Sequence, residues 1–381
     1  MLTLKQKLSR LAITIKFAIG IIISLAIVTP VIADDSATNE LAVEIIAENL
    51  DHPWSLAFLP DGRLLVTERS GKLRIVDQGQ VSEPLANVPP VYAKSQGGLM
   101  DVVLHPDHAN NGWIYLTLAH GSAKANATRL IRAKLEGNAL VDVEVLFTAQ
   151  PFKDTPVHYG GRLAFLPDNS LLLSVGDGFD YREQAQLLDN HFGKIVRLLD
   201  DGKVPPDNPF IDGVGNLPEI WTYGHRNPQA IIVHAEKDAV FAHEHGPDGG
   251  DEINVIVPGR NYGWPITTHG KDYSGAAISP FTELHGTVDP MLHWTPSIAP
   301  AGMALVNGDK YPKWQGNLMV AALKARELRR VTIDSETIDQ QSLLTALGER
   351  IRDVRLGPDG YLYVLTDNSK GRILKLIPTP Q

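Results

Sequence analysis

The sequence predicts an all-β protein, a six-bladed β-propeller whose blades are four-stranded and antiparallel. Three observations carry that prediction. A strand–turn–strand motif recurs six times along the chain. No amphipathic helix of ordinary length interrupts it, the nearest being a short candidate over residues 183–189. The chain also exceeds what one compact core usually fills, and a radial build answers this because each sector adds its own apolar layer. A large β-sandwich, or two small ones, would use the strands but leave the repetition unexplained.

The first 33 residues read as a signal peptide. Lys5, Lys7, Arg10 and Lys16 form a positive start, and residues 17–28 form an apolar run too short for an ordinary membrane span. Val31, Ile32 and Ala33 precede the expected cut, so the mature chain is expected to begin at Asp34 and to form a single propeller over residues 34–381. The destination implied is the periplasm, with no stable membrane insertion after cleavage. Removal of four cations and no anion takes the net charge from −9 to −13, a poor balance for binding nucleic acid. The chain has no Cys, which excludes disulfides, thiolate metal sites, a cysteine nucleophile and a lipid-modified cysteine.

The repeats then follow in order. They read LAFLPDGRLLVTER from Leu56, VVLHPDHANNGWIYLTLA from Val102 and LAFLPDNSLLLSVGDG from Leu163. Weaker copies start at Ile231 and Met303, and a clear last copy, VRLGPDGYLYVLTDN, starts at Val354. Each is a pair of β-rich strands joined by a tight turn at Pro60, Pro106, Pro167, Ala235, Gly308 or Pro358. In a propeller, residues just after a repeat's second strand, or just before its first, gather at one mouth of the channel. Gln96, His158 and Lys324 stand at such places.

The chemistry concentrates in a few stretches. His158 precedes Gly160 and Gly161, which let the backbone pass close to a neighbour, and histidine is the natural base near neutral pH. Asp177 ends the same repeat's second strand, where it either orients a ring nitrogen of His158 or binds a group at the channel. Arg226 and Asn227 together suit an anion. Arg350 and Arg352 share one face of a strand, where they repel unless an anion or water separates them. With Lys324 and Arg226 they describe a pocket for a multiply charged anion. The stretch from Trp221 to Pro265 sets His243, Glu244, His245, Asp248, Asp251 and Glu252 among glycines and prolines, and such oxygen-rich turns suit Ca²⁺. The nucleotide-binding, zinc-protease and serine-hydrolase signatures are all missing.

In these motifs the chain resembles the soluble pyrroloquinoline-quinone-dependent aldose sugar and glucose dehydrogenases. The likeness runs from about Leu50 to Ile377 and is most specific in QGGLMDVVLHP, HYGGRLAF, GKIVRLLDDGKVPPDNPF, YGHRNPQ, EHGPDGGDEIN and NYGWP. The resemblance implies a six-bladed propeller with the quinone over the channel mouth. It implies that Lys324, Arg350, Arg352 and the amide of Asn227 meet the quinone's carboxylates, with Gln96 nearby. It assigns His158 as base, Asp177 as its partner, and Arg226 to negative charge on the reduced quinone. One Ca²⁺ would take the carbonyls of Gly246 and Pro247; a second, structural one would take Glu252, the Tyr262 carbonyl and Asp272. Ala230 stands where the family pattern leads one to expect Gly, which marks the fourth blade for distortion.

The expected function is therefore a periplasmic quinoprotein that oxidises an aldose at its anomeric hydroxyl to the lactone, with hydride transfer to the quinone and electrons passed to an external acceptor. A calcium-dependent propeller lactonase would use the acidic loop and His158, but not the cations. A non-catalytic binding propeller would not need the full set.

Overall fold

A strand first in sequence closes the last blade. In the computed structural model, which describes residues 40–333 and 337–379, β1 (Leu41–Leu50) pairs antiparallel with β24 (Gly371–Pro378). It thereby joins β22 (Ile351–Leu356) and β23 (Leu362–Thr366) as the outermost strand of blade six. The other blades run in simple order. Blade one holds β2 (Pro53–Phe58), β3 (Leu64–Glu68), β4 (Lys72–Asp77) and β5 (Gln80–Val81). Blade two holds β6 (Leu99–Leu104), β7 (Trp113–Ser122), β8 (Ala125–Glu136) and β9 (Ala139–Thr148). Blade three holds β10 (Leu163–Phe165), β11 (Leu171–Val175), β12 (Lys194–Leu198) and β13 (Ile220–Tyr223). Blade four holds β14 (Pro228–His234), β15 (Ala239–Glu244), β16 (Asp251–Ile256) and β17 (Leu292–Trp294). Blade five holds β18 (Pro300–Leu305), β19 (Leu318–Ala322), β20 (Glu327–Val331) and β21 (Gln340–Leu343). The innermost strands touch in a closed cycle, β2 to β6, β10, β14, β18, β22 and back to β2. The signal-peptide reading of residues 1–33 lies outside the described residues.

The second strand of a blade is sandwiched between neighbouring blades, so its sequence is apolar on both faces. Every residue of β3, β11, β19 and β23 is buried. That is why these strands read as continuous runs rather than alternations. The core is correspondingly divided. Each apolar cluster joins two adjacent blades: Leu65 with Leu116, Tyr115 with Leu171, Leu172 with Ala242, Phe241 with Val320, Met319 with Val364, Val66 with Leu365. A fully buried Leu in such a layer contributes about 1.5–3 kcal/mol.

The turns between first and second strands need a left-handed residue, and the sequence supplies one. Gly62, Asn169, Asp238 and Gly360 have φ of 90°, 64°, 48° and 79°. Glycine, asparagine and aspartate are the residues that tolerate this geometry. In blade two the turn winds into α1 (His108–Asn111), ended by Gly112 at φ 72°. The short helix expected at 183–189 is a 3₁₀ turn over Arg182–Gln186. The distortion expected at Ala230 is a register slip between Pro228 and Ala230. Equivalent slips occur at Pro53/Ser55, Leu99/Val102, Pro300/Met303 and Ile351/Asp353, so the bulge belongs to the architecture and not to that residue. Among the described residues no helix is long and apolar enough to cross a membrane.

Candidate active site at the channel mouth

In antiparallel blades the chain enters each first strand and leaves each second strand on the same side. The site draws mainly on these two kinds of loop, with Arg69, Asp177, His245, Leu323 and Asp367 from the second kind and Gln96, His158, Arg226 and Arg350 from the first; the long connection between β16 and β17 adds Trp264, Asp272 and Tyr273.

His158 is buried on the loop before β10. Its Nδ1 lies 2.7 Å from Asp177 Oδ1. Asp177 is saturated with donors, since Oδ1 also accepts from the Phe179 N–H at 2.8 Å and Oδ2 from Trp264 Nε1 at 2.8 Å. Burial opposes its charge, but His158, Arg226 and the Phe179 N–H hold the carboxyl below the ordinary carboxylate range. An acceptor-only carboxylate requires a proton on Nδ1, which leaves Nε2 of a neutral ring as a proton acceptor. Of the two roles open to Asp177, orienting the ring is the one its contacts fit. Burial also pulls the imidazole below its usual value against the pull of Asp177, with Arg226 and Lys153 adding to the lowering.

His158 adopts φ 52°, a left-handed backbone that a histidine holds only when its surroundings enforce it. Gln96 Oε1 accepts its N–H at 2.8 Å. A Cβ at Gly176 would come within 2.4 Å of the His158 carbonyl, so that crossing requires glycine. Gly160 and Gly161 pass against the Ser174 backbone and the Met100 side chain, the close neighbours their sequence implied.

Arg226 is buried beside the dyad. Its Nη1 donates to the carbonyls of Gly246 at 2.6 Å and His245 at 3.1 Å, and its guanidinium lies 5.3 Å from the centre of the Trp264 ring. It lines a cavity of about 310 Å³ with Pro247, Asp272, Phe179 and Tyr273. The two aromatic rings stack at 6.3 Å, and the Phe179 edge meets His158 at 5.3 Å.

A second cavity of about 260 Å³ is bounded by Gln96, Asn227, Arg350 and Arg352. The two arginines, read in the sequence as part of a pocket for a multiply charged ligand, already share a carboxylate of the protein, Asp367, whose Oδ2 accepts from Arg350 at 3.1 Å and Arg352 at 3.2 Å. Burial opposes its charge, yet Arg352, Arg350 and Arg69 hold it down at about 2. The wall therefore keeps an excess of positive charge. Arg352 is 8% exposed, and its Nε is buried without a hydrogen-bond partner. Lys324 stands exposed beside the wall residue Leu323, and its side chain is not part of the lining. Asn227 uses its Oδ1 to accept the Gly160 N–H at 3.0 Å.

Sequence reasoning missed Arg69, Trp54, His245 and Gln229 in this wall, and the role of Asp367. Arg69, His245 and Asp367 all directly follow a second strand, the same kind of position that marked Lys324, but position alone does not tell them from ordinary turn residues.

The expected calcium residues divide. Gly246 and Pro247 lie at the first cavity, with the Gly246 carbonyl occupied by Arg226. Glu252 accepts from Asn254 Nδ2 at 3.0 Å, and the same amide reaches Glu244 at 3.4 Å. Asn254 Oδ1 is buried without a partner. Burial and the adjacent Glu244 push the Glu252 carboxyl up to about 8. Glu244 also meets His225, whose ring stacks on Tyr262 at 4.6 Å, so Glu252 and Tyr262 belong to one cluster. Asp272 makes its contacts elsewhere, with Ser274 at 2.7 Å and Arg182 at 3.7 Å. No group of three or more acidic or histidine side chains suited to a metal occurs among the described residues.

The chain matches the glucose / sorbosone dehydrogenase family over residues 50–375. It is 43% identical over 351 residues to the aldose sugar dehydrogenase YliI of Escherichia coli (strain K12), covering 90% of this chain and 94% of that one. The solved apo-form of the soluble aldose sugar dehydrogenase from Escherichia coli aligns with a TM-score of 0.86 at 43% identity, covering 89% of this chain and 100% of that one. The PQQ-bound aldose sugar dehydrogenase of Streptomyces coelicolor aligns with a TM-score of 0.71 at 30% identity, over 89% of this chain and 99% of that one. The chain therefore belongs to the glucose / sorbosone dehydrogenase family and is an oxidoreductase.

Proposed function

We propose that this protein is a periplasmic quinoprotein that oxidises an aldose at its anomeric hydroxyl to the lactone and passes the electrons to an external acceptor. The observation that carries the reading is the neighbourhood of an oriented histidine base and a cavity with surplus positive charge. The residues fit pyrroloquinoline quinone, because the buried Arg352 Nε has no acceptor of its own and the wall offers Arg69 and Arg350 beside it. Arg69, Arg350 and Arg352 would hold its carboxylates, with Asn227 and Gln96 at the edge and Lys324 at the rim. When bound, the quinone supplies the acceptor for the hydride. His158 Nε2 takes the hydroxyl proton, forming an N–H bond as the O–H bond breaks, and Asp177 stabilises the imidazolium. Arg226 contributes fixed positive charge next to this step.

Calcium fits the oxygen-only donor sets. Glu252, with the unpartnered Asn254 Oδ1 close by and the Tyr262 carbonyl, suits one ion; Asp272 would have to move to join it. Gly246 and Pro247 offer carbonyls for another, and a carbonyl has two lone pairs, so Gly246 can keep Arg226 as a donor. A lactonase reading leaves the arginine wall without a ligand.

Reconstitution tests the reading. Apo-protein given quinone and Ca²⁺ should reduce a dye in the presence of an aldose. Chelation should abolish turnover and lower Tm by several degrees, and Ca²⁺ should restore both. Lactone hydrolysis without quinone, and no dye reduction with it, would overturn the proposal. Export is tested separately: N-terminal sequencing of periplasmic material should begin at Asp34, and Met1 retained in a membrane fraction would refute processing.

A further inference from the structure

Lys153 has no part in the reaction just described, yet it is one of the most deeply buried cations in the structure, at 4% exposure. Its Nζ donates to Asn126 Oδ1 at 3.1 Å, to the Val157 carbonyl at 2.8 Å and to the Thr155 carbonyl. Three N–H donors thus meet three acceptors, a match that only the ammonium form completes. The same Nζ lies 3.6 Å from the centre of the Tyr159 ring, and Asn126 Oδ1 also accepts the Tyr159 hydroxyl at 2.6 Å. One side chain therefore ties residues 155, 157 and 159 together around His158. Thr155 Oγ1 adds a tie to the Gly178 carbonyl at 2.6 Å, next to Asp177. No carboxylate lies within ion-pair distance of Lys153 among the described residues, and burial pulls the ammonium down to about 7. A methionine would fill such a space without burying charge.

We propose that Lys153 is a positioning residue for sugar oxidation: its ammonium holds His158 in the left-handed backbone that aims the ring, and its charge favours the neutral, proton-accepting imidazole. The inference rests on His158 being the base. Two features join in it. A strained backbone persists only where the surroundings over-determine it, and His158 at φ 52° has this clamp on both flanks. The groups that face His158 are Asp177, which favours its charged form, and Arg226, Lys153 and the more distant His245, which oppose it. Lys153 is the one of these that also grips the backbone on which His158 rides.

The test uses the calcium- and quinone-loaded enzyme. Lys153→Met should lower kcat at saturating quinone and aldose by about 10–100-fold, the scale of a small misplacement of a catalytic group. Quinone binding, read by its absorbance on titration, should stay within about twofold because the arginine wall is elsewhere. The acid limb of the kcat profile should move to higher pH, since a nearby positive charge is gone. Lys153→Gln, which keeps N–H donors without charge, should retain more of kcat but show the same movement of the acid limb. It also serves if Lys153→Met does not fold. Parental kcat and acid limb in Lys153→Gln would overturn the inference, as would loss of quinone binding in step with kcat, which marks a purely structural role. If the parent enzyme itself fails to oxidise aldoses with quinone, it is the assignment of His158 that fails first.

Discussion

His158→Gln is expected to reduce kcat by about 10²–10⁴-fold, the usual worth of a positioned base, with quinone affinity nearly unchanged. Glutamine preserves size and a polar end but has no nitrogen that accepts a proton near neutral pH. The backbone contact from Gln96 survives, because it uses the main-chain N–H. The arginine wall lies on other segments of the chain, the loops of Arg69 and Arg350 and strand β22, so excess quinone should not rescue the variant. In the parent enzyme the acid limb should fall below the usual imidazole range, because burial lowers the ring's proton affinity and Asp177 only partly offsets this. Stopped-flow reduction by an aldose separates the chemical step from release. Rescue by excess quinone would show that His158 is an anchor and not a base.

Arg352→Met should show the opposite pattern. Arg352 is buried, and burial lowers its proton affinity despite the favourable charge of Asp367. Removing one member of a buried charge set costs roughly 3–5 kcal/mol, on the order of 10²–10⁴ in quinone affinity. Asp367 keeps Arg350 at 3.1 Å and the field of Arg69, so the fold should survive the loss. Saturating quinone should restore most of kcat. Lys324→Ala should weaken binding far less, since its ammonium is exposed and solvent screens it. A larger loss from Lys324→Ala than from Arg352→Met would mean that the quinone sits at the rim, clear of the wall.

The blades were legible because their turns use a small vocabulary. Pro-Asp-Gly and its variants set the left-handed residue that each hairpin needs, and the doubly covered second strands leave unbroken apolar runs. Strand β1 was not legible. Most of its residues are exposed or half-exposed, and its partner lies at the far end of the propeller sequence, so no local pattern announces the pairing. His158 and Asp177 could be paired because they flank one hairpin. Lys324 could not be judged, because a residue two places past a strand points wherever the turn sends it, and here the chain folds back onto Ile298. Asp367 was hidden for a different reason. A lone aspartate after a strand looks like a turn residue until two arginines at the start of β22, one just before it and one in it, are seen to share it.

The pairing of β1 with β24 also sets an order of events during synthesis. Residues 41–50 are made before every other strand but have no partner until residues 371–378 exist. The earlier blades can stack as they appear, yet the layer of Leu50, Val66, Leu365 and Ile373 stays open to the end. Contacts this distant in sequence are slow to form, and an open sheet edge invites pairing with other chains. Ring closure is thus a late and single event, and a chain cut short anywhere before its final strand has no way to complete it.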